Sequence, residues 1–128
     1  MTRTIKFAAA LFLLASGALA GPDMECPGSS QIEIGACVHE TLGRVDAAVD
    51  AALGFAMTSA VELDRITGRS VAEPALTAGQ AAWAGYRDAH CAFVGATYGG
   101  GSGTGIAIES CRIMLGRARV EDLLTYAR

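Results

Sequence analysis

From Leu76 to Cys91 the chain reads Leu-Thr-Ala-Gly-Gln-Ala-Ala-Trp-Ala-Gly-Tyr-Arg-Asp-Ala-His-Cys. From Glu109 to Leu124 it reads Glu-Ser-Cys-Arg-Ile-Met-Leu-Gly-Arg-Ala-Arg-Val-Glu-Asp-Leu-Leu. In the first stretch Gln80, Trp83, Tyr86-Arg87-Asp88-Ala89 and Cys91 fall at helical spacing, and in the second Cys111 and Arg119 do the same. Between the two, Gly95 to Gly105 holds six glycines in eleven residues. Ordering glycine into a helix is entropically costly, so the pattern predicts a helix, a break and a second helix.

Working outward, the first of these helices is expected over about Ala75 to Val94, with Pro74 near its N-terminus. Leu76, Trp83, Tyr86, His90 and Phe93 line one broad side of it, and Trp83 reads as a core residue. The second is expected from Ile106 to Tyr126 through Cys111, Met114-Leu115, Ala118 and Leu123. Upstream, apolar residues at Ile34, Val38, Leu42, Val45, Val49, Ala52-Leu53, Ala56 and Ala60 predict one long amphipathic helix to about Leu63. Its other face carries Glu40, Arg44, Asp46, Asp50 and Glu62. Gly43 and Gly54 lie inside this helix and are expected to permit close packing. Thr67-Gly68-Arg69-Ser70 punctuates the chain. Strand signals are nearly absent, so the fold class is all-α, a small bundle of about three helices with one long helix packed on a helical hairpin.

The N-terminus reads as an export signal over residues 1–20. Arg3 and Lys6 form a cationic start, Phe7 to Leu14 an apolar run, and Ala18-Leu19-Ala20 the small residues a signal peptidase accepts. The run is too short for a membrane anchor, which needs about 20 apolar residues. Cleavage after Ala20 leaves 108 of the 128 residues, with 21–33 as an extended lead-in and 34–128 as the helical domain. Losing Arg3 and Lys6 leaves eight cations against thirteen acids, a net charge of −5. That balance argues against nucleic acid or an anionic membrane as the main partner and leans towards a basic one. A periplasmic or secreted destination follows.

All four cysteines, Cys26, Cys37, Cys91 and Cys111, lie in the exported part. An even count in a small exported domain reads as two disulfides, with three possible connectivities. The favoured pairing is Cys26–Cys37 with Cys91–Cys111. Each closes a short loop, and the second ties two helices across the glycine break, worth about 3 kcal/mol on chain entropy.

The Gln-x-x-Trp-x-x-Tyr-Arg-Asp-Ala-x-Cys helix, the glycine-containing loop and the Cys-x-x-x-Leu-x-x-x-Arg helix resemble the LprI-like lysozyme-inhibitor family of small secreted bacterial proteins. The likeness is close over the C-terminal half and looser before it. Gln80, Trp83, Tyr86, Asp88 and Arg119 are the positions that match the family pattern, beside the cysteines. The resemblance implies a non-enzymatic protein that binds lysozyme, a glycosidase with two cleft carboxylates.

Candidate contact residues follow from chemistry. Arg87 offers a planar fork suited to carboxylates, although an internal ion pair is the preferred role for Arg87-Asp88. Arg119 is expected to pair with Asp46 or Asp50, or to bond helix-end carbonyls. The loop presents Tyr98, Ser102 and Thr104, either to enter a concave cleft or as a spacer. It lacks the lysine of a phosphate-cradling loop. His39 and His90 sit beside cysteines that are expected to be oxidised, so no metal site and no cofactor is indicated. An enzyme is the least supported class. The alternative to lysozyme inhibition is an envelope binding or accessory module whose partner is another protein or a peptidoglycan fragment. An exposed patch of Tyr98, Phe93 and Tyr126 favours binding; its absence with a buried Arg87 favours a scaffold.

Overall fold

In the computed structural model, which describes residues 21–127, the longest helix begins at a capping box. The Ser30 hydroxyl accepts the Glu33 N–H at 3.2 Å, and the Glu33 carboxylate accepts the N–H groups of Ser29 and Ser30 at 2.8 and 3.2 Å. Two orphan donors of the first turn are thereby satisfied. The Ser29 N–H, followed by its hydroxyl, holds the Glu33 carboxyl below its ordinary range. The helix runs to Thr67, where Gly68 takes a left-handed conformation (φ 66°) that suits glycine at a helix end.

Among the described residues there are four helices and no strand: α1 Pro22–Glu25, α2 Gln31–Thr67, α3 Ala72–Ala96 and α4 Thr104–Thr125. The protein is a small all-α, disulfide-stapled bundle in which long α2 packs on the α3–α4 hairpin. The expected leader, residues 1–20, lies outside the described residues. The lead-in expected to be extended over 21–33 is corrected. Pro22 opens a helical turn at α1, and the capping box starts α2 at Gln31.

Val38, Leu42, Val49, Ala52 and Ala56 form the buried stripe of α2, with Val45 half-buried between them. Their alternating steps of four and three match Ile113, Gly116, Val120 and Leu123 on α4. Val38 and Leu42 pack with Ile113, and Ala52 and Ala56 with Leu123, so the two helices run parallel. Small residues set the spacing. A Cβ at Gly116 would stand 2.5 Å from Val45 Cγ1, so only glycine lets α4 approach this closely. By contrast nothing lies within 4 Å of a Cβ at Gly43 or Gly54, which face outward. The close packing expected of them is not found.

Two disulfides join the elements: Cys26–Cys37 ties the segment after α1 to α2, and Cys91–Cys111 ties α3 to α4. The glycine break is shorter than expected. Gly95 belongs to α3, where a Cβ would meet Ile108 Cγ1 at 2.5 Å, and Gly105 belongs to α4. The connecting turn is 97–103. The Gly101 N–H donates to the Tyr98 carbonyl, and Thr104 donates both its N–H and its hydroxyl to the Gly101 carbonyl.

At the far end, Asp64 of α2 caps α3. Its carboxylate accepts the N–H groups of Ala72, Glu73 and Val71 at 2.8, 3.0 and 3.1 Å. These bonds, the one from Ala72 foremost, hold the Asp64 carboxyl below its ordinary value. The anion also lies at the positive end of the helix.

Candidate functional site

The motif residues fall into two groups, one turned inward and one outward. Along α3 the inward stripe is Leu76, Gln80, Trp83, Arg87, Cys91 and Val94, the steps of three and four that a buried helix face requires. Arg87 lies at its centre, with a side chain only 12% exposed. Its Nε and Nη2 donate to the Arg112 carbonyl at 3.1 and 2.8 Å, and Nη2 also donates to Asp46 Oδ1 at 2.7 Å. One guanidinium thus links all three long helices. Arg119 donates to Gln80 Oε1 at 3.0 Å and pairs with Asp122 on its own helix. Its expected partners Asp46 and Asp50 are not the ones it finds: Asp46 pairs with Arg87, and Asp50 is in no ion pair among the described residues. Trp83 receives both cations, with Arg87 Cζ 5.2 Å and Arg119 Cζ 5.7 Å from the ring centroid. It is half-buried against charge rather than set in the apolar core, an arrangement that favours indole over other rings. Asp88 lies outside this cluster, exposed, with Arg112 at 3.2 Å.

Tyr86 and Phe93, expected on the buried side with Trp83, are instead 55% and 64% exposed. They stand one helix position off the buried stripe, which is enough to turn a side chain through about 100°. With half-buried His90 between them they make a row: Tyr86 and His90 stack with centroids 5.4 Å apart, and His90 and Phe93 lie 6.3 Å apart. The row leads towards the α3–α4 turn, where Tyr98 is 54% exposed and Ser102 is exposed. Thr104, half-buried, has its hydroxyl engaged by the Gly101 carbonyl. Tyr126 is not part of this surface. It lines a groove at the opposite end of the bundle with Leu63, Ile66 and Leu76.

The family described as lysozyme inhibitor LprI matches residues 24–123 of this chain. The chain belongs to the LprI lysozyme-inhibitor family. No curated relative and no solved structure matches it.

In this LprI-family chain the match starts within α1 and ends two residues before the end of α4, so it takes in both disulfides and the whole motif cluster. Two disulfides and no free cysteine among the described residues fit an oxidising compartment. Among the described residues no group of three metal-ligating side chains comes together, and no helix is long and apolar enough to cross a membrane. His39 lies on the surface with its Nδ1 2.9 Å from Glu109 Oε1, and that carboxylate raises its pKa above 6.5. The Tyr86–His90–Phe93 row was legible at its i, i+4, i+7 spacing. What hid it was the assumption that the largest side chains face inward.

Proposed function

We propose that the protein inhibits a lysozyme by seating the α3–α4 turn and its adjoining aromatic row in the enzyme's substrate cleft. The observation that carries this reading is the division of the motif. Arg87 and Arg119 hold the bundle together, while Tyr86, Phe93, Tyr98 and Ser102 face outward at one end. The turn is narrow, uncharged and fixed by its own backbone bonds, so docking it orders little chain and costs little entropy. An exposed tyrosine at its base can stack on apolar sugar-binding surface and offer a hydroxyl to the cleft. In this reading Arg87 positions the two supporting helices and does not touch the enzyme.

Charge supports the pairing. Six of the seven arginines among the described residues are in ion pairs and Arg69 is in none, whereas four acids, Asp23, Asp50, Glu73 and Glu121, are in none. The outward field is therefore acidic, which steers association with a basic enzyme and weakens as salt rises. The aromatic row also favours a second reading, direct stacking of a peptidoglycan fragment by an envelope binding module.

Oxidised protein spanning 21–128 is expected to slow the clearing of a cell-wall suspension by animal lysozyme in proportion to dose. Tyr98→Ala is expected to weaken that inhibition by about tenfold or more, the scale of a central interface aromatic. Lysis unaffected by a micromolar excess, across more than one class of lysozyme, sinks the inhibitor reading. Binding to soluble peptidoglycan fragments in that event selects the second.

A further inference from the structure

Between α2 and α3 the chain passes through a turn of exposed residues, 68–71. Arg69 lies in this turn. It is in no ion pair among the described residues, although its charge acts on Asp64. The other six described arginines all lie within helices and in ion pairs. The chain's one lysine, Lys6, falls outside the described residues.

Helical backbone must unwind before an endopeptidase can cut it, so exposed turns are nicked first. An enzyme that cuts after arginine offers a carboxylate in its specificity pocket, which a paired guanidinium reaches only by giving up its partner. Arg69 has no pair to give up. Beside it Gly68, at φ 66°, straightens at little cost because it has no Cβ. The fastening of the turn converges on Asp64. Its backbone carbonyl accepts the N–H groups of Gly68 and Arg69, the second at 3.2 Å. Its carboxylate accepts those of Val71, Ala72 and Glu73. One residue therefore holds both sides of the Arg69–Ser70 bond, and no disulfide supports it there.

We propose that the Arg69–Ser70 bond is a cleavage site for an endopeptidase that cuts after arginine, and that a single cut there takes the bundle apart. Water adds across the bond, its hydroxyl to the Arg69 carbonyl carbon and its proton to the Ser70 nitrogen. A carboxylate is left at the end of α2 and an ammonium at the start of α3. Each has the wrong sign for its helix end. Cys26 and Cys37 both precede the cut, and Cys91 and Cys111 both follow it, so no covalent bond joins the pieces. The α2–α4 packing and the Asp46–Arg87 pair then have to hold between two molecules, without the millimolar effective concentration of a connected chain. The site stands apart from the inhibitor reading, because fragments and not lysis report it.

Oxidised protein spanning 21–128 is digested with trypsin under native conditions and followed by mass spectrometry without reductant. The first products expected are 21–69 and 70–128. Arg69→Gln is expected to yield neither fragment over the time in which the parent is consumed. Asp64→Ala is expected to speed the cut about fivefold, since cutting tracks the open population and loss of a cap raises that population by about this factor. Arg69→Lys is expected to open the chain, at this bond alone, to a lysine-specific endopeptidase that leaves the parent whole. The melting temperature of the cut protein is expected to fall and to depend on concentration, whereas that of the parent does not. A first cut at a helical arginine, an Arg69→Lys chain that the lysine-specific enzyme leaves whole, or unchanged melting of the cut protein overturns the proposal.

Discussion

Gly54 and Gly116 are the same residue with opposite roles. At Gly54 a Cβ would meet nothing within 4 Å, whereas at Gly116 it would meet Val45 Cγ1 at 2.5 Å and Arg87 Nη2 at 3.2 Å. Replacing an exposed helical glycine by alanine removes backbone freedom from the unfolded chain, so Gly54→Ala is expected to add about 0.5–1 kcal/mol of stability. Gly116→Ala forces α4 away from α2 and Arg87, at an expected loss of about 1–3 kcal/mol. Urea titration of the two variants beside the parent gives both signs at once. The outward aspect of Gly54 was legible. It lies two residues from both Ala52 and Ala56, about 200° around the helix from each. The choice of Arg87 over Arg119 as the partner of Asp46 was not, because it depends on the relative rise of three helices that no local spacing encodes.

At the scale of elements, the stripes of α2 and α4 were readable almost residue by residue, since burial on one face imposes the helical period on the sequence. Helix ends were less so. The Ser30-x-x-Glu33 box is a local signal that fixes where α2 begins. The cap on α3 comes from Asp64, seven to nine residues before the N–H groups it accepts, and belongs to no local motif. It has a consequence for acid stability. The Asp64 carboxyl is held below its ordinary 3.8 by the N–H groups of Ala72 and Glu73, so the folded state binds that proton less readily than the unfolded chain. Its stabilising contribution is fully present above pH 3.8 and fades as pH falls through the lower, folded value. Asp64→Asn is expected to lower the melting temperature at neutral pH and to flatten its fall below pH 4. An unchanged acid limb in a thermal scan series removes the cap from the account. The His39–Glu109 pair has the opposite sign. The contribution of the raised His39 is present below 6.5 and lost as pH rises through its folded value.

For the whole molecule, the pairing of cysteines followed from loop lengths, while the helical turn α1 did not, because four residues leave no periodic trace. Cys91 and Cys111 are both buried at the α3–α4 crossing. Replacing both by serine is expected to cost about 2–5 kcal/mol, measured as a fall in the guanidinium midpoint of the oxidised protein. Both cross-links lie at the end where α2 begins and α3 finishes. The other end, around Gly68 and Tyr126, has no covalent tie among the described residues. Opening of the bundle therefore has a direction. The free end breathes first, and a molecule parted from that side keeps its helices beside the right neighbours. It recloses like a hinge whose pin never left its barrel, with no search among other arrangements of the same helices.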